Sequence, residues 1–208
     1  MTTAAATPSA TRYRLPWTAV RIDDPFWGPR LRTLVGRTLP GQYRQLLESG
    51  RLAPLGIWNG PGDPPKAHAF FNSDIAKWLE AVAYAQTWHA DAGLRAKAEE
   101  IIAAYARVQM ADGYIGFFAV RERWTDLRDG HEMYTIGHLI EAAVAWHEAL
   151  GDGRLLAVMR DCAQHLWDRF GPEAKDRGVC GHPEIELALV RLGECTGEQR
   201  WIDLAAHL

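Results

Sequence analysis

The sequence predicts an all-α fold built from stacked helical hairpins, and three observations predict it. Apolar residues recur at helical spacing from about residue 73 onward, while strand signals are few. Three segments superpose on one another: "WLEAVAYAQTWHADAGLRAKAEEI", "LIEAAVAWHEALGDGRLLAVMRDC" and "EIELALVRLGECTGEQRWIDLAAH", allowing one extra residue in the third turn. Glu80, Glu141 and Glu186 occupy the same place in these units, and Asp91, Asp152 and Glu198 fall at the turns. A single hairpin cannot bury both its faces, so such units stack side by side. Finally, the first helix of each hairpin carries the unusual polar groups, and the loops between hairpins are long, polar and aromatic. Both features favour a closed α/α toroid over an open solenoid, with inner helices around a cavity and loops at its rim.

The elements follow in order. "MTTAAATPSATRYRLP" lacks the charged start and leucine-rich core of a signal peptide, so residues 1–19 read as a disordered leader. "VRIDDPFWGPR" is extended, with Pro25 and Pro29 opposing regular structure. A helix covers Leu31 to Glu48, weakened or broken in its middle by Gly36, Pro40 and Gly41. "SGRLAPLGIWNGPGDPPKAHAFFN" is a long loop, dense in Gly and Pro and of the kind that tends to carry function. The next helix is capped by Ser73 or Asp74 and places Ile75, Trp78, Leu79, Val82 and Gln86 at helical spacing. Another runs from about Ala92 to Val108, ahead of "MADGYIGFFAVRERWTDLRDG", a loop with an Asp-Gly turn and several aromatics. Helices then cover His131 to Leu150 and, after a "GDG" turn, Arg154 to Phe170. Pro183 suits the first turn of a helix that ends at Cys195. A last helix starts near Glu198 and is still running at Leu208 with no stop signal.

Composition removes several function classes. The net charge is −3 and no Lys/Arg tract forms a basic face, which argues against nucleic acid as a partner. No apolar window is long enough to span a membrane. Cys162, Cys180 and Cys195 are odd in number and widely spaced, which fits reduced thiols better than a disulfide framework or a metal knuckle. A cytoplasmic protein is expected.

Chemistry concentrates in "HEMYTIGHLIEAAVAWHEAL". A zinc-binding His-Glu-x-x-His helix needs its second histidine four residues on, whereas His138 follows His131 by seven. On a helical wheel of about 100° per residue, His131, Tyr134, His138 and Glu141 form one polar stripe. An ordinary surface helix would carry scattered Lys, Glu and Arg there, not two imidazoles, a phenol and a carboxylate. The same groups also suit a hydrogen-bonded interface between helices, so the stripe alone leaves both readings open.

The blocks "VRIDDPFWGPRL", "FNSDIAKWLEAVAYA", "QMADGYIGFF", "HEMYTIGHLIEAAVAWHEALGDGRLL" and "GHPEIELALVRLGECTGEQRWIDLA" resemble, in that order, the N-terminal half of glycoside hydrolase family 127. This is the family of β-L-arabinofuranosidases, and the resemblance runs from about Val20 to Leu208. It implies an (α/α)6 toroid of which residues 20–208 form roughly half. It also implies an exo-acting, retaining enzyme that removes terminal L-arabinofuranose from an oligosaccharide or smaller glycoside. In that family a zinc ion held by cysteines and a glutamate activates a cysteine nucleophile, and a separate glutamate is the acid/base.

Those groups would follow Leu208, so the resemblance assigns no catalytic residue and no zinc ligand to this chain. It implies a truncated piece, inactive alone, whose open last hairpin would favour self-association or a homodimer. As sugar contacts it implies Gln42 in "LPGQYRQLL", His131 in "HEMY" and His182 in "GHPEIE", to which the stripe adds Tyr134, His138 and Glu141. Trp58 and Trp124 could stack on sugar faces. A thiol role for Cys180, beside His182, is conceivable. Two other readings remain: a non-catalytic helical-repeat module that binds carbohydrate or peptide, and another α/α-toroid enzyme, such as an unsaturated glucuronyl hydrolase or an epimerase.

Overall fold

Pro40 lacks the amide hydrogen a helix needs, and its ring crowds the carbonyl four residues back. The chain answers by widening its helix rather than breaking it. In the computed structural model, which describes residues 15–176 and 178–208, α1 (Trp27–Thr33) passes through a π-turn over Leu34–Thr38 into α2 (Leu39–Glu48). The Leu39 amide donates to the Leu34 carbonyl five residues back, which is the π register. The expected break at Gly36–Gly41 is therefore a bulge in a continuous helix. That helix starts at Trp27 rather than Leu31 because Asp24 Oδ1 accepts the amides of Phe26 and Trp27 at 2.8 and 2.6 Å.

α3 (Phe71–Trp88) also begins earlier than the sequence suggested. Ser73 Oγ donates back to the Phe70 carbonyl at 3.0 Å, so Ser73 and Asp74 fill the first turn instead of capping it. Asp74 there holds Arg51 at 2.7 Å. α4 (Ala92–Val108) has the expected kind of cap, Asp91 Oδ1 accepting the Leu94 amide at 2.8 Å. α5 (Glu132–Leu150) and α6 (Arg154–Phe170) lie where the periodicity puts them. α7 (Ile185–Thr196) starts after Pro183, which sits in a tight turn closed by the Glu184 amide on the His182 carbonyl at 2.8 Å. α8 (Gln199–His207) completes the described helices, and no strand occurs among the described residues.

The three hairpins α3/α4, α5/α6 and α7/α8 stack as the repeats require. α3 packs along α5 and α5 along α7, making an inner row, while α4 packs on α6 outside it. The middle inner helix is enclosed on most sides, and its residues from Leu139 to Trp146 are all buried. Tryptophans fill the interfaces, and two of them anchor their N–H groups across the packing. Trp78 donates to the Leu39 carbonyl at 3.0 Å and Trp146 to Asp152 at 3.1 Å.

Trp124 belongs to this core and is closed to a sugar. It is buried, lies parallel to the His165 ring at 5.8 Å, and meets Phe170 and Tyr114 edge-on. Glu132 fixes it by accepting the Trp124 amide and the Tyr114 hydroxyl, each at 2.6 Å. Trp58 is half-buried, donates to the Gly62 carbonyl at 3.2 Å, and folds its ring over Gly60 within the Gly/Pro loop.

Of the stretch expected as a leader, residues 1–14 lie outside the described residues. Trp17–Ala19 forms a short 3-10 turn, and Trp17 Nε1 donates to Glu148 of α5 at 2.7 Å. Among the described residues no helix is long and apolar enough to cross a membrane.

Gly137 sets how closely the inner row packs. A Cβ there would stand 2.8 Å from Glu184 Cγ and 3.1 Å from the Glu184 backbone carbonyl. On an open helix, Gly137→Ala would gain about 1 kcal/mol of helix propensity. Here overpacking dominates, and the variant is expected to lose about 1–3 kcal/mol, read as a lower urea midpoint at unchanged slope.

Candidate functional site

His131 stands at the start of α5 with a left-handed backbone, φ +58°, a conformation that costs a side-chain-bearing residue energy. Its Nδ1 lies 2.5 Å from the Asp129 carbonyl, which orients the ring. That ring sits 4.6 Å from the His182 ring and 4.6 Å from Phe70. One turn along α5, Tyr134 meets His182 at 5.3 Å and turns its edge to His138 at 4.5 Å. Lys77 of α3 donates to the Tyr134 hydroxyl at 2.8 Å. A turn further in, His138 Nδ1 comes within 3.0 Å of Glu184 Oε1.

Three neighbouring inner elements thus converge: α3 through Lys77, α5 through His131, Tyr134 and His138, and the turn before α7 through His182 and Glu184. The cluster grades from exposed at Phe70 and His182 to half-buried at His138 and Glu184, at the loop end of the inner row. Of the six residues singled out in the sequence, it gathers His131, Tyr134, His138 and His182. Lys77 and Glu184 were missed. Lys77 looks like any surface lysine, and Glu184 was read as part of a helix that in fact begins after it.

The other two residues go elsewhere. Glu141 is buried in an ion pair with Arg191 of α7, so the single stripe expected on α5 divides in two. Arg191 also stands 3.8 Å from Glu80 and 3.4 Å from Glu148, while Tyr84 donates to Glu80 at 2.7 Å. Glu80 and Glu141 meet because they occupy equivalent places in adjacent repeats. Gln42 is exposed on α2 and lines a cleft of 770 Å³ between α2 and α3. Lys77 borders both that cleft and the imidazole cluster.

Burial tunes the inner end of the cluster. It pushes His138 down to about 4, with the Lys77 charge adding to the effect. Glu184 is pushed up to about 7, first by burial and then by the carboxylates of Glu141 and Glu80. Both shifts favour the uncharged form of the group concerned. A neutral carboxyl and imidazole can each donate and accept hydrogen bonds, as a polyhydroxylated ligand requires.

Residues 19–208 match the family described as β-L-arabinofuranosidase, GH127 catalytic domain. The chain belongs to glycoside hydrolase family 127. It is 37% identical over 91% of its length to a non-reducing end β-L-arabinofuranosidase from Bifidobacterium longum subsp. longum, of which it covers 33%. Its fold is similar to that of a GH127 β-L-arabinofuranosidase from Geobacillus stearothermophilus T6, with a TM-score of 0.78 and 34% identity over 90% of this chain and 32% of that one. A second GH127 β-arabinofuranosidase structure gives a TM-score of 0.80 and 28% identity, covering 92% of this chain and 33% of that one. The chain spans about a third of the length of the relatives it matches.

The described residues do not fit the zinc-thiolate centre that the family resemblance implies. Zinc takes ionised thiols. Burial pushes the Cys162 thiol up to about 12 and raises Cys180 and Cys195 as well, which favours neutral thiols. Cys180 Sγ accepts the His182 amide at 3.5 Å and stays half-buried. Among the described residues no three His, Cys, Asp or Glu side chains are grouped so as to hold a metal ion.

The opposed shifts of His138 and Glu184 have a thermodynamic signature. Glu184 is raised from 4.5, so its stabilising contribution is present below that pH and lost as pH rises through about 7. His138 is lowered from 6.5, so its contribution is present above that pH and lost as pH falls through about 4. Glu184→Gln removes the first effect alone. Its thermal midpoint relative to the parent is expected to climb between pH 5 and pH 8 in scanning calorimetry, whereas a flat difference would show that Glu184 ionises normally in the fold.

Proposed function

We propose that this chain forms the sugar-recognition side of the active site of a retaining β-L-arabinofuranosidase, holding the terminal L-arabinofuranosyl unit of an oligosaccharide. The observation that carries this reading is the convergence of His131, Tyr134, His138 and His182 with Lys77 and Glu184 in one side-chain cluster. A furanose offers hydroxyls around its rim and a small apolar face. The imidazoles, the phenol, the ammonium and the neutral carboxyl supply donors and acceptors, and Phe70 with the His131 ring supplies an apolar wall.

These residues bind and orient, and no bond-breaking step is assigned to them. Zinc bound to thiolates would supply an ionised sulfur nucleophile, but no thiol here fits that part. Glu141 is left out of the sugar contacts because Arg191 engages it. Gln42 would reach the ligand only from the neighbouring α2–α3 cleft. Three free cysteines suit a reducing compartment, consistent with the cytoplasm.

Calorimetric titration of the 208-residue chain with methyl β-L-arabinofuranoside tests the reading. Binding is expected, with His131→Ala and His182→Ala each weakening it about tenfold, the size of one lost hydrogen bond to a buried partner. Unchanged affinity in both variants would overturn the assignment. The same chain is expected to leave 4-nitrophenyl β-L-arabinofuranoside intact, and turnover would mean that the residues described here carry the chemistry themselves.

A further inference from the structure

The cleft between α2 and α3 has a charge that sugar hydroxyls alone do not call for. Four cations line it, Arg37, Arg44, Arg51 and Lys77, against one carboxylate, Asp74. The chain as a whole is acidic at −3, so this is a local reversal of sign. It begins in the sequence itself, because the helix from Trp27 to Glu48 carries Arg30, Arg32, Arg37 and Arg44 before its first acid at Glu48.

Two of the four cations are already engaged. Arg51 pairs with Asp74 at 2.7 Å, and Lys77 donates to Tyr134 at 2.8 Å. Arg37 and Arg44 have no ion-pair partner among the described residues, and both extend from the α2 side of the cleft. They flank Gln42, whose amide adds neutral hydrogen-bonding capacity. At 770 Å³ the cleft has the size of an ordinary small-ligand site. Lys77 is shared by the cleft and the imidazole cluster, which makes the two neighbours.

We infer that the α2–α3 cleft binds the carboxylate of an acidic sugar, so that the glycan held by this chain carries a uronic acid residue next to its terminal arabinofuranose. The inference rests on the arabinofuranosyl-binding reading above. Planar guanidinium groups pair with carboxylates through two parallel hydrogen bonds, and two unpaired arginines on one wall suit that geometry. A longer polyanion such as nucleic acid is opposed by the chain's overall net charge of −3.

Calorimetry on the whole chain separates the possibilities. The probes are digalacturonate, its carboxyl-reduced neutral counterpart, inorganic sulfate and methyl β-L-arabinofuranoside. Digalacturonate is expected to bind at least about tenfold more tightly than the reduced sugar, and more weakly as salt is raised. The double variant Arg37→Gln/Arg44→Gln is expected to erase that preference while leaving arabinofuranoside affinity and the melting temperature unchanged.

Equal binding of acidic and reduced disaccharides would overturn the inference, as would a preference that survives the double substitution. Sulfate competing as well as digalacturonate would reduce the cleft to a simple anion site and overturn the sugar assignment. Arabinofuranoside binding without acid preference would sink this inference alone. Acid preference without arabinofuranoside binding would sink the parent reading and leave a uronate site standing by itself.

Discussion

One guanidinium sits where three inner helices meet. Arg191 reaches from α7 to Glu80 on α3 and to Glu141 and Glu148 on α5, so a single side chain ties the whole inner row. Such a half-buried charge adds little net stability over a well-packed apolar group, since withdrawing the partners from water costs about as much as their attraction returns. Its consequence is geometric. Carboxylates taken from water must find Arg191, and the match sets how far α7 can slide along α5. Sliding α7 by one turn would strand the charges and also carry His182 and Glu184 away from His131 and His138.

Packing enforces the same register from the other end. Gly137 allows the Glu184 backbone to lie against α5, and this contact places the Glu184 carboxyl beside His138. The cluster is therefore backed by a charged tie further along the inner row and by a close backbone contact at its inner end. His131, with its left-handed backbone, turns the chain into α5 and presents its ring to His182. Strain of that kind persists when surrounding contacts hold it, and here Phe70, Tyr134 and His182 all bear on the ring.

Membership of family 127 and the geometry of the imidazole cluster are separate observations. The family match rests on the order of residues along the chain, and the cluster rests on which of them meet in space. The residues gathered there are suited to grip a neutral polyol. A positive cleft lies next to it along α2, where the sequence had pointed only to Gln42. Burial raises all three thiols above their ordinary range, which opposes the ionised form a zinc ligand takes.

The sequence by itself determined the hairpins. Helical periodicity, the Asp91 cap and the repeated units are local signals, and each depends on residues a few positions apart. It also pointed to His131, Tyr134 and His138, because imidazoles and a phenol on one narrow stripe are unusual for a surface helix. Tertiary structure alone decided the rest. Whether Glu141 faced a sugar or an arginine depended on Arg191, fifty residues away. Trp124 became core because Glu132 and His165 enclosed it, and Pro40 bent its helix into a π-turn instead of ending it. Local chemistry chooses among helix, turn and cap, but a side chain's role is set by the partner it meets across the fold.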